Sequence, residues 1–524
     1  MAPRSGRPTL LVLILTTAVL AGCAGGDDDR DTDDEVPAAP AIPADWYEQP
    51  LRGGQGHDHT DPAQHQNLST PNFYTVGWDP MVSGYYDKTA GTHFCGGVST
   101  EGDRKLAVVH SFDSDVALMI VDVTDPAAPT TIGELVLPFS KVYDSAVTPD
   151  GQFAVLATNP AEKAPDQPPV TGKTETRAVL TFTDACTGET RPVPFAPQVD
   201  NTPYQGGVLL VDLSDPTAPA VVDQRPIPGL GAHSVFTTTI GDKTWVLGSV
   251  TNLVKAVSTF HFWSIGTNAL GPALVEEGVY RPPQRAENDG ALNFHSDGWM
   301  QEHPATGKTL AYLADWNGGM AIVDLSDPKM PQEIGHWNNF DPAKDEVFDD
   351  DSHGSIHGAY PLETLWDGRH YTIVGQEVGG RPDDTPTGVI YILDTTDPTK
   401  PTAVSAWTLP AEPSWDGFLL YSTHYFRVLE KTMFVAMYHG GVWAVDLTNI
   451  TAPRSVGVFM PDRVPDAAPQ TGGPAPEVLD MELLPDGTVV VFDGPSGVYT
   501  VRYDPSVQAP APIDGEWDVT LSGS

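Results

Sequence analysis

The chain has 524 residues, more than one ordinary hydrophobic core holds and enough for a large repeat domain. Its 70 acidic against 28 basic side chains give a formal charge of −42, which excludes the cationic surface that nucleic-acid binding needs. Aromatic and aliphatic content is ordinary, so the middle of the chain is expected to fold.

The first 22 residues read as a signal peptide: a basic head, an apolar run too short to span a bilayer, and a small-residue cleavage site. Leu20-Ala21-Gly22-Cys23 resembles a bacterial lipoprotein box, which implies lipidation of Cys23 and attachment to a membrane through the acyl chains. Residues 23–45 are acidic and then Ala/Pro-rich, the composition of an extended tether. Residues 46–91 form an N-terminal lead-in segment; its His57, His59 and His65 are either a metal-binding strap or a polar approach to the folded region. Residues 506–524 read as a loose tail.

Between these ends one pattern recurs. "VALMIVDVTDPAAP", "GGVLLVDLSDPTAP", "GGMAIVDLSDPKMP", "GVIYILDTTDPTKP" and "GGVWAVDLTNITAP" end at Pro129, Pro219, Pro331, Pro401 and Pro453. Each holds a short apolar run, rich in β-branched or aromatic residues and followed by a turn, which predicts a buried strand. Asp-Pro fits a type I turn, and the later proline predicts that the next strand lies at a sheet edge. The shortest interval between copies, Asp394 to Asp446, is 52 residues, the size of a few-stranded blade. The copies resemble the LVIVD repeat of bacterial and archaeal propellers, which implies the fold and no single activity.

A polar residue ahead of each unit's first strand marks the units whose repeat has degenerated: His93, Asp144, His233, His295, His357, His424 and Asp480. Seven such positions predict an all-β, seven-bladed propeller of four-stranded blades over 92–505, with a long hairpin insertion, about 160–204, over one channel mouth. In a propeller the starts of first strands share a face with the hairpins before third strands. Asp113, Asp315, Asn317, Glu377 and His439 are expected there.

His295, His357, His424, His233 and His93, with Asp144 and Asp480 beside them, can converge at the channel mouth as ligands for zinc, copper or iron. Equally, they can satisfy buried backbone groups or join neighbouring blades, as a histidine here does in WD-repeat propellers. His353 is spaced four residues from His357, but on a Gly-broken loop. Asp349-Asp350-Asp351 lacks calcium-loop spacing and reads as a solvated turn. An exported compartment permits a Cys95–Cys186 disulfide pinning the insertion; two buried thiols, or Cys95 as a soft ligand, are the alternatives.

No nucleophile elbow, phosphate loop, dinucleotide fingerprint, HExxH or CxxCH occurs. The expected function is therefore a cell-envelope lipoprotein, at the outer membrane or cell surface. Its propeller face acts as a scaffold for a protein, polymer or small-molecule ligand. The alternative is a metal-dependent, oxidoreductase-like enzyme using the histidine ring.

Overall fold

The computed structural model describes residues 69–85, 88–89, 93–111, 115–138, 140–160, 181–183, 190–192, 195–200, 206–227, 231–250, 259–283, 285, 297–339, 354–377, 388–409, 421–462 and 476–507. Among them there is no helix. Seven four-stranded antiparallel blades form a propeller, as the repeat arithmetic predicts. The innermost strands are His93–Val98, Ser140–Val147, Ser234–Ile240, Gly298–Glu302, Ile356–Pro361, Phe426–Leu429 and Val478–Leu483. The third strands include the repeat segments Val116–Asp122, Gly207–Asp212, Met320–Asp324, Ile390–Asp394 and Val442–Asp446. Their side chains are almost wholly buried, and seven of the core clusters among the described residues are each shared between two adjacent blades. A blade cannot bury its faces alone, which is why the unit is copied around a ring.

The recurrent fourteen residues build the joints of that ring. The Asp ending each third strand folds back on the backbone N–H two residues later, as Asp122 does to Thr124 and Asp324 to Ser326. The next Asp does the same to the second residue after it and accepts a backbone bond from the third, closing the turn. The outer strand after the turn then carries a one-residue bulge in each blade. The residue following the bulge faces the next blade's turn.

Gly133 faces the Pro216 carbonyl, Gly278 that of Pro328, Gly335 that of Pro398, and Gly77 that of Pro126. A Cβ on any of these would lie 1.7–2.3 Å from the carbonyl oxygen, so the joint admits no side chain. Where the next turn reads Asn-Ile instead, the position is Ser405, whose hydroxyl donates to the Ile450 carbonyl at 2.6 Å. Where the third blade has lost its repeat, the position is Asp223, which accepts from Leu274 N–H. The irregular copies are thus matched by changes in the partner strand.

Closure uses a segment outside 92–505. Phe73–Asp79, within the stretch read as a lead-in, pairs antiparallel with Gly497–Tyr503 and completes the seventh blade. Thr70 and Asn72 then take the place of a repeat turn, bonding to the sixth blade at Val458 and Val456 and packing on Gly457. Joining the two chain ends in one sheet prevents the ring from opening at its seam.

The insertion leaves the second blade after Pro160 and returns at Gly207. It contains a hairpin, Thr181–Thr183 with Thr190–Pro192. Its return leg differs from a pure lid: Gln198–Val199 pairs parallel with Leu135–Val136, the outer strand of the first blade. An outer strand has unpaired backbone groups that attract such a partner. Cys186 lies outside the described residues, and Cys95 is a buried thiol. Residues 1–68, with the signal segment, Cys23, the tether, His57, His59 and His65, also lie outside them, as do Asp113, His295, Asp349-Asp350-Asp351, His353 and the tail after 507.

Candidate functional site

The beginnings of the inner strands are irregular in a way that aims side chains. Register shifts fall between His93 and Cys95, Val142 and Asp144, Ile356 and Gly358, and Val478 and Asp480. His357 is itself the extra residue of its bulge, while Asp144 and Asp480 directly follow theirs. A bulge rotates the local backbone and turns a side chain out of the sheet's normal alternation.

His357, Glu377 and His424 come together. One ligand atom from each lies within 4.8 Å of the others. The two imidazole rings are 4.3 Å apart and inclined at 38°. Glu377 Oε2 is 3.7 Å from His357 Nε2, while the Tyr438 hydroxyl donates to the other carboxylate oxygen. Tyr425 packs edge-on against both imidazoles, Tyr438 against His424, and Trp316 against His357.

Trp316, Glu377 and Tyr438 occupy the turn after the second strand in three consecutive blades. Trp316 and Tyr438 hold left-handed backbone, φ 44° and 47°, unfavourable for bulky residues. Such strain concentrates where a side chain must be presented. His357 is buried, and its Nδ1 has no hydrogen-bond partner.

His233, immediately before the third blade's first strand, is half-buried nearby. Burial first, then the neighbouring His357, His424 and His110, lowers it to about 3, so it stays neutral. His93 begins its strand, but its side chain lies outside the described residues.

The aspartates do something different. Asp144, Asp297 and Asp480 each accept the backbone N–H of the following residue at 2.8 Å. With their second oxygen, Asp144 and Asp480 also accept an N–H from the next blade, at Val235 and Gly96. They are blade-to-blade joints at the channel. Burial above all raises all three above the ordinary carboxylate range. The buried Arg427 guanidinium is engaged by Glu482 through two nitrogens, lies 4.0 Å from Asp480, and stacks over Trp299 and Tyr425. Asp297, Trp299, Tyr360, Tyr425 and Arg427 surround a cavity of about 10 Å³, room for one water.

Two residues of this neighbourhood escaped the sequence reading. Glu377 was placed on the face but not among the ligands, because only the ring brings a fifth-blade turn against two first strands. Asp297 stands two residues after His295, and its Asp-then-small pattern matches Asp144-Ser145; that match was the available signal.

Two segments, residues 112–135 and 309–339, match the family model for the LVIVD repeat. The protein is thus a seven-bladed β-propeller in which these two segments match the LVIVD repeat. No curated protein matches the chain in sequence. Among solved structures it is similar to Sqt1 of Saccharomyces cerevisiae, at 12% identity and TM-score 0.43, covering 79% of this chain and 96% of that one. It is also similar to a hypothetical selenium-binding protein of Sulfolobus tokodaii, at 12% identity and TM-score 0.41, covering 76% and 82%. A third is the Cps50 (Swd1) β-propeller domain of Myceliophteria thermophila, at 11% identity and TM-score 0.43, covering 79% and 96%. At such values the likeness says nothing about activity.

Proposed function

We propose that the protein is an exported cell-envelope lipoprotein, anchored through Cys23, whose propeller binds a small ligand at the mouth of its central channel. The observation that carries this is the convergence of His357, Glu377 and His424 within 4.8 Å. The ring does not need them for closure: the outer-strand glycine joints and the Asp144 and Asp480 bonds already link the blades. A buried imidazole nitrogen without a partner, such as His357 Nδ1, weakens a fold, so its presence here is explained by a ligand rather than by stability. The signal-like first residues and Cys23 at the end of a lipoprotein-box sequence support the envelope location.

The test uses full-length protein purified from its native envelope in detergent. Native mass spectrometry is expected to show a bound species that His424→Ala loses while keeping its melting temperature. Absence of any species, with a large loss of thermal stability in that variant, refutes the ligand site. Separately, Cys23→Ser is expected to move the protein from the membrane to the soluble fraction; unchanged fractionation refutes the anchor.

A further inference from the structure

Resting on the channel-mouth site, we infer that the ligand held there is one divalent transition-metal ion, coordinated by His357, His424 and a single oxygen of Glu377. Two imidazoles and a carboxylate are the donors that zinc, iron(II), cobalt(II) and copper(II) prefer, whereas calcium and magnesium favour all-oxygen shells. The spacing agrees. Ligand atoms about 2.0–2.2 Å from an ion stand roughly 3–4 Å from one another. Glu377 Oε2 and His357 Nε2, at 3.7 Å, are too far apart to hydrogen-bond and well placed to share an ion. The three-way limit of 4.8 Å closes to such a shell with side-chain shifts below about 1 Å.

The surroundings are those of a prepared site. Tyr438 occupies Glu377 Oε1, leaving Oε2 to the ion and making the carboxylate a one-oxygen ligand. An outer partner of this kind orients a ligand and tunes its affinity. Tyr425, Tyr438 and Trp316 restrict the tilt of the imidazoles. The nearby Arg427 guanidinium, stacked over Tyr425, has Glu482 as its counter-ion, so this cation does not oppose a dication at the site. Three protein ligands leave at least one coordination position for water or an exchangeable molecule, as in catalytic rather than structural sites.

Full-length protein, stripped with chelator and dialysed, is titrated with cobalt(II) as a visible probe. One equivalent is expected to bind. His357→Ala, His424→Ala and Glu377→Gln each weaken binding at least about 100-fold, and Tyr438→Phe, which keeps the ring, weakens it roughly 10–100-fold. Replacing His57, His59 and His65 together leaves uptake unchanged. Pulsed EPR of the copper(II) form, needing no variant, counts two bound imidazoles. No stoichiometric uptake, fewer than two coordinated imidazoles, or full uptake by Glu377→Gln overturns the inference. If wild type takes no metal yet loses another bound species on His424→Ala substitution, the metal falls and the binding site stands. If neither is seen, both fall.

Discussion

Gly335→Ala tests the blade joint directly. The added Cβ would lie 2.0 Å from the Pro398 oxygen, 3.1 Å from its carbonyl carbon and 3.3 Å from Pro401 Cδ. An ordinary carbon–oxygen contact needs more than an ångström of extra space. The opposing turn cannot simply retreat: Asp394 and Asp397 brace it through Thr396 and Thr399, and Lys400 N–H bonds back to Asp397. Overpacking of this kind costs about 1–3 kcal/mol. Gly335 does not use left-handed backbone, so alanine regains only about 0.4–1 kcal/mol by restricting the unfolded chain. The net loss is about 1–2 kcal/mol, read as a lower urea midpoint in chelator-treated protein. Gly278→Ala, with its Cβ 1.7 Å from the Pro328 oxygen, is expected to lose at least as much. An unchanged or raised midpoint for Gly335→Ala would refute the joint as the reason for the repeat.

Removing residues 1–80 takes away the strand that closes the seventh blade, and aggregation with a broadened unfolding transition is expected, whereas removing 1–66 leaves melting intact; calorimetry and light scattering distinguish them. Arg427→Met leaves Glu482 and Asp480 without their buried cation and is expected to cost about 3–5 kcal/mol in urea unfolding. Burial lifts the Asp493 carboxyl to about 7 despite bonds from Ser496 and Glu477 N–H. The folded chain holds this proton after the unfolded chain has lost it, so the group's contribution is full below about pH 4 and is lost as pH rises to 7. Asp122 acts oppositely: burial would raise it, but hydrogen bonds from Thr124 and Arg104 bring it below the ordinary value, so its contribution disappears in strong acid. The urea midpoint should therefore be higher at pH 5 than at pH 8, and Asp493→Asn should flatten that difference.

The repeat made the architecture legible. Five copies of a strand and an Asp-Pro turn, with polar markers ahead of the degenerate units, were sufficient for seven blades, because strand period and turn chemistry are local properties. The edge position of the strand after the second proline was legible for the same reason. Closure was not: Phe73–Asp79 alternates buried and exposed residues like many strands, and nothing local says that its partner is Gly497–Tyr503. The return of the insertion along the first blade depended on an outer edge built elsewhere in the chain. Sequence pointed to His357 and His424, yet the carboxylate between them was chosen by the ring. The hairpin position puts Glu377 on the channel-mouth face, but the neighbouring turns carry Trp316 and Tyr438, unrelated side chains, so no pattern marks it as a ligand. Local chemistry determined what each blade is, while the meeting of two first strands and one turn at a point is a distance between blades, which exists only once the propeller has closed.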